Sequence, residues 1–387
     1  MRRLLLIVCA AVLVDTMLFA ALTPLVPEYS RELGLSKIGA GALVASYAVG
    51  VLLGAFPAGI AASRLGPKPA TLAGLLVVGG ASFAFAFAGD EWALGGARFA
   101  QGIGSALSWA GGLAWLVGAS PRERRGELLG TAIGAAIFGA LLGPVLGGVA
   151  SVAGTRAAFS GVALLAVLVV ALGLSVPAAP RARPSLAALA RAFAERRFVG
   201  GLWLMLLPAL LFGMLAVLAP LDLDRAGWNP LAIGALFLTA AALEALLNPL
   251  VGRVADRRGR LVPVRVALPI GAAVALALGW AAEPAVIVAL ALLASLAWGS
   301  LFTPGTALLS DGAERARLPQ GLGFGVMNAG WATGATLGPA LGGALGETAG
   351  DPVAYGTGAL ACAATFLAVR TATARVGTLT VRVPRAP

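Results

Sequence analysis

Asp15 and Glu244 are carboxylates set inside long apolar stretches, and Asn248 follows Glu244 by one helical turn. An ionisable side chain in hydrocarbon is costly, so each marks a candidate functional position. The chain has no histidine. Any proton crossing such an interior is therefore expected to ride on one of these two carboxyl groups, loading from one side and leaving on the other as water access alternates. Arg98 is the cation placed in the same kind of stretch, and Gln101, Ser105 and Ser108 follow it at helical spacing along one face. That face is expected to line water or substrate, and Arg98 near Asp15 would form a pair able to alternate between ion pair and protonated acid. Each group also has a purely structural reading: a satisfied carboxylate beside a kink, or an arginine anchored on the carbonyls of a neighbouring helix.

The elements that must position these groups are apolar. Hydrophobic residues make up 59% of the chain and charged residues 12%, with a mean hydropathy of +0.92. A soluble domain is about a quarter charged, so the chain belongs in a lipid bilayer. The net charge of +11 is not a nucleic-acid signal, because the arginines lie between apolar runs and form no basic stripe. Cys9 and Cys362 stand far apart in apolar segments, which leaves no readable disulfide framework or metal cluster. Apolar stretches run near 4–27, 38–61, 70–88, 93–118, 127–151, 157–176, 199–221, 231–251, 261–281, 284–308, 322–345 and 353–372. Each approaches the ~20 residues that cross a bilayer as a helix, so an all-α protein with twelve transmembrane helices is expected. The first run is too long for a signal peptide, carries Asp15 and leads into further spans.

Twenty-three of the 28 basic residues fall on the side that holds both termini, and Arg31, Lys37, Arg156 and Arg225 fall on the other. Positive loops stay inside, so a multi-pass cell-membrane protein with cytoplasmic termini is predicted. The chain also repeats itself. GALLGPVLGG (139–148) returns as GATLGPALGG (334–343), TPLVPE (23–28) as APLDLD (219–224), and GIAASRLGPK (59–68) as GRVADRRGR (252–260). Recurrence at a near-constant offset in one orientation predicts two pseudo-symmetric six-helix bundles. The N-terminal half is expected over 1–176, a linker over 177–198, and the C-terminal half with a short tail over 199–387. Leu186, Leu189 and Phe193 fall on one face of the linker, which predicts an amphipathic helix at the membrane surface.

With these repeats in view, the chain resembles the major facilitator superfamily, and within it the twelve-helix drug:proton antiporter branch. Gly59, Arg64, Gly66 and Lys68 match that family's loop motif after the second helix, whose role in the family is a cytoplasmic gate. Ser63 stands where the family has an acidic residue. The second copy keeps Asp256 with Gly252, Arg257, Gly259 and Arg260. Arg98 occupies the arginine of the family's fourth-helix motif. Gly139, Gly143, Pro144, Gly147 and Gly148 match what that branch calls the antiporter signature, and Gly334, Gly338, Pro339, Gly342 and Gly343 duplicate it. Glycines at four-residue spacing make a smooth face for close helix contact, and proline permits a bend.

The resemblance implies proton-coupled efflux of a small hydrophobic or cationic compound by alternating access, powered by the transmembrane proton gradient with no bound cofactor. The alternative is a symporter or facilitator for a sugar, amino acid or other metabolite. Tyr47, Trp109 and Trp298 offer aromatic surface within the stretches and, with Gln101, Ser105, Ser108 and Asn248, are the substrate-cavity candidates. No catalytic or metal-ligating constellation is present in the sequence, so an enzyme is not expected. The expected partners are a small-molecule substrate, protons and the lipid bilayer, with no nucleic acid; a monomer is expected.

Overall fold

A computed structural model describes residues 1–121, 124–179, 186–318 and 320–379. The described residues form α-helices joined by short turns, with no strand. In the N-terminal half these are α1 (Arg2–Ala21), α2 (Val26–Leu33), α3 (Lys37–Arg64), α4 (Pro67–Phe87), α5 (Glu91–Ala119), α6 (Arg125–Ala153) and α7 (Thr155–Leu174). A short α8 (Leu186–Ala194) follows. The C-terminal half contains α9 (Arg196–Arg225), α10 (Pro230–Arg258), α11 (Leu261–Trp280), α12 (Pro284–Gly299), α13 (Phe302–Arg315), α14 (Gln320–Thr348) and α15 (Asp351–Leu379).

Among the described residues, eleven segments are long and apolar enough to cross a membrane. The twelfth element is α14, in which nine glycines replace bulkier apolar side chains. Two of the apolar stretches are interrupted. A 3₁₀ turn over Thr23–Leu25 separates α1 from α2, since Pro24 and Pro27 each lack a backbone donor. The tenth stretch breaks between α12 and α13, where Ser300 and Leu301 leave the helix just before Pro304.

The twofold repetition extends to backbone dihedrals. Gly66 and Gly259 close the matching turns after α3 and α10 at φ 110° and 106°. A Cβ at either would strain the turn. Gly34 with Gly227 and Gly154 with Gly350 recur in the same way at the other turns.

The glycine-proline helices hold the bundles together. Gly139, Gly143 and Gly147 of α6 lie against the backbone of α1 at Leu13, Met17 and Ala21. Gly334, Gly338 and Gly342 of α14 lie in the same way against Leu206, Leu210 and Met214 of α9. The last glycine of each motif turns to the other half: Gly148 meets Leu231 of α10, and Gly343 meets Lys37 and Gly41 of α3. Pro144 and Pro339 complete the seam against Gly234 and Gly41. A side chain at any of these glycines would push two helices apart, which is why small residues recur here.

The two ends of the molecule differ. At the far end, opposite the N-terminus, the halves are tied by Arg31 with Asp224, by Lys37 with Asp351 at 2.5 Å, and by the Ile38 amide donating to Glu347 at 2.9 Å. At the end bearing the N-terminus, Arg260 and Arg197 pair with carboxylates of their own half. Arg260 binds Asp256 and reaches Asp311 at 3.7 Å, and Arg197 reaches Asp311 at 3.8 Å. Between the halves on this side lies a crevice lined by Ala55, Ala106, Trp109, Ala110, Leu113, Gly325 and Asn328.

The linker helix packs on the C-terminal half, against Phe198, Leu309 and Ala313. Its buried face is made by Ala188 and Ala192 with Leu189 beside them, while Phe193 is 47% exposed. Small alanines let a short helix approach its support closely. The side chain of Leu186 lies outside the described residues.

Candidate functional site

Asp15 sits in α1, 4% exposed, and three side chains from two other helices converge on it. The Tyr47 hydroxyl of α3 donates to Oδ1 at 2.7 Å, and from α5 the Ser105 hydroxyl and the Trp109 indole N–H donate to Oδ2 at 2.9 and 2.6 Å. Ser105 and Trp109 are one turn apart, so a single face of α5 serves both bonds. An ionised carboxylate only accepts, and three donors occupy most of its lone-pair sites. The site can therefore hold a charge inside apolar surroundings, and it can lose that charge to a proton without losing all its partners.

Arg98 is 1% exposed and does not pair with Asp15. Its Nη1 donates to the Leu18 carbonyl at 2.8 Å and to Gln101 Oε1 at 3.0 Å, and its Nη2 donates to the Phe19 carbonyl at 3.1 Å. The guanidinium also lies 4.7 Å from the Tyr47 ring centre. Those carbonyls come from the last turn of α1, just before the 3₁₀ interruption, where backbone acceptors lack intrahelical donors. The arginine thus anchors the end of the helix that carries Asp15. Gln101 passes the network on by donating from Nε2 to Ser82 Oγ at 3.1 Å. Ser82, a lone serine in an apolar helix, gave no sequence signal.

Of the remaining cavity candidates, Ser108 and Trp298 are fully buried in their own halves, and Trp298 donates its indole N–H to the Gly271 carbonyl at 3.2 Å. Trp109 reaches the crevice between the halves, and Asn248 is half-buried. Glu244 of α10 is also half-buried and lies against Gly299, so close that a Cβ there would overlap its carboxylate. Asn248 donates to Glu244 and accepts from the Thr303 hydroxyl at 3.1 Å. Gly299 and Thr303 flank the break in the tenth stretch; that break, written as glycine and proline around residues 299–304, was the available signal for this second site.

The loop-motif contacts seen among the described residues lie within each half. Lys68 donates to the Leu174 and Val176 carbonyls at 2.8 and 2.7 Å, capping the end of α7. The Ser63 hydroxyl donates to its own helix at the Ile60 carbonyl at 2.8 Å. Asp256 is engaged by Arg260. No cluster of metal-ligating residues occurs among the described residues.

A family model described as the Major Facilitator Superfamily matches residues 8–322 and 227–384. A probable vesicular acetylcholine transporter-B from Danio rerio is 36% identical over 140 residues, which is 34% of this chain and 28% of that relative. The matched segment thus spans little more than a quarter of that relative's length. Among solved structures, a D-xylose-proton symporter superposes with a TM-score of 0.75 at 18% identity, covering 95% of this chain and 96% of that one. The human organic anion transporter MFSD10 (TETRAN) superposes at 0.70 with 20% identity, covering 95% and 99%. At such identities the likeness is one of fold.

Proposed function

This chain belongs to the Major Facilitator Superfamily, and from that premise we propose that it is a proton-coupled antiporter exporting a small hydrophobic or cationic compound by alternating access. It is a multi-pass membrane transporter of small molecules and not an enzyme. The observation that carries the finer reading is Asp15: a buried carboxyl group gripped by Tyr47, Ser105 and Trp109, of which Trp109 also borders the crevice between the halves. Trp109 links proton occupancy to the cavity wall. A proton on Asp15 removes the charge that the three donors hold, which loosens α1 from α3 and α5 and couples loading to the position of the halves.

In this reading the protein works as a monomer in the cell membrane with both termini cytoplasmic, so the crevice opens to the cytoplasm and the far-end ion pairs close the outside. The proton gradient supplies the energy without a bound cofactor. Arg98 positions α1, and the glycine-proline helices α6 and α14 form the tight faces about which the halves rock. The loop motif, complete around Asp256 and altered at Ser63, gates the cytoplasmic side.

Inverted, energised vesicles carrying a pH-sensitive dye test this directly. Adding members of a panel of lipophilic cations, antibiotics, sugars and amino acids is expected to dissipate the gradient for particular compounds, with Asp15→Asn silent at equal expression. Compound movement with no accompanying proton movement would overturn the coupling. Loss of signal in Glu244→Gln with Asp15→Asn active would move the proton to the C-terminal half.

A further inference from the structure

We propose that the far end of the seam between α6 and α10 is a binding site for a small amphiphilic zwitterion, one that carries a primary ammonium and an acidic group on an apolar body. A cavity of about 380 Å³ lies there, within the size range of small-molecule sites. Glu28 and Arg31 of α2 line it together with Ser151 and Val152 from the end of α6, and Asn229, Pro230 and Leu231 close it from the start of α10. Its walls thus come from both halves. One turn before Val152, Gly148 meets Leu231, so the cavity adjoins the contact that ends the glycine-proline seam. It stands apart from Asp15 and from the crevice at Trp109.

Two charges of opposite sign line this space without pairing with each other. Glu28 Oε2 is buried, and no donor among the described residues reaches it. A buried acceptor left without a donor is costly, and a ligand N–H would satisfy it. Arg31 gives Nη1 to Asp224 instead, and its side chain is 57% exposed, which leaves the rest of its donor fork open. The neutral groups divide in the same way. Ser151 Oγ donates to the Gly148 carbonyl at 2.8 Å and can still accept, whereas Asn229 Oδ1 accepts from the Ala232 amide at 2.8 Å and leaves its own N–H groups to a ligand. A simple cation or metal ion would meet Arg31, and a simple anion would meet Glu28. A molecule with both charges answers both. Val152, 76% exposed, and Leu231, 52% exposed, supply with Pro230 an apolar wall for its body. The ammonium must keep its hydrogens, because a trimethylated nitrogen has the charge but no donor for Oε2.

This chemistry has two sources, a free amino acid in solution or the headgroup of an ethanolamine lipid in the adjoining leaflet. Equilibrium binding of radiolabelled ligands to the purified full chain in micelles separates them with two matched pairs: L-leucine against its trimethylammonium derivative, and phosphatidylethanolamine against phosphatidylcholine of the same acyl chains. In one pair the ammonium form is expected to bind about tenfold more tightly than the trimethylated form. Glu28→Gln is expected to abolish that preference while leaving binding of the trimethylated form unchanged, and Glu28→Asp to retain part of it. Gel filtration confirms that each variant is folded. A Glu28-dependent preference in the leucine pair assigns the ligand to solution, and one in the lipid pair assigns it to the bilayer. Preference in neither pair, or a preference that survives Glu28→Gln, would overturn the proposal. A micelle carries no gradient, so a failure of proton coupling would appear in the vesicle assay and not here.

Discussion

The N-terminal half encloses a carboxylate gripped by three donors, whereas the C-terminal half encloses one with a single amide beside it. Their frames are nonetheless copies, down to the positive-φ glycines at matching turns. At the offset of Gly66 and Gly259, Asp15 corresponds to Pro208 and Glu244 to Val51, so neither acid has a counterpart. The difference teaches that duplication preserved packing while the chemistry was distributed unequally. Packing tolerates few changes because backbone meets backbone at the glycines. A polar group in a bundle needs only its own partners, so one half can acquire it alone.

The comparison breaks most visibly at Arg98. Arg98→Met is expected to destabilise the protein by about 3 kcal/mol, since it leaves the Leu18 and Phe19 carbonyls without their charged donor. Reversible unfolding in mixed micelles measures this. A loss under about 1 kcal/mol would mean that the end of α1 does not depend on the arginine.

A smaller effect sharpens the symmetric part. Gly139→Ala and Gly334→Ala place a methyl against the Leu13 and Leu206 carbonyls and are expected to cost about 1–3 kcal/mol each, nearly equally. Gly134→Ala, which meets nothing within 4 Å, is expected to stay within about 0.5 kcal/mol of wild type. Clearly unequal costs for the first two would show that the repeated motifs bear different loads.

The smallest effect concerns the loops. Ser63→Asp is expected to change stability by less than about 0.5 kcal/mol, because Pro67 stands where the other copy has Arg260, the partner of Asp256. Substantial stabilisation by Ser63→Asp, read as a rise in Tm in detergent, would reveal a cation that reaches this loop from elsewhere.

Membrane class, the repeat and the glycine-proline helices were legible in the residues because they depend on composition and local spacing. Asp15, Glu244 and Arg98 stood out by the cost of charge in an apolar run. Their partners did not. Tyr47, Ser105 and Trp109 were readable as cavity-lining polar and aromatic residues, and the fold also joins them on Asp15, with Trp109 at the crevice as well. The linker face was similarly assigned to its large side chains, while burial went to Ala188 and Ala192, whose size lets the helix sit close.

By itself the sequence determined that this chain spans a bilayer as two related bundles, because hydropathy and repetition act over neighbouring residues and need no knowledge of who touches whom. Only the tertiary structure decided which acid is supplied with three donors and which with a single amide. Hydrogen bonds are made at about 3 Å between helices far apart in the chain, and their partners depend on how each helix is rotated in its bundle.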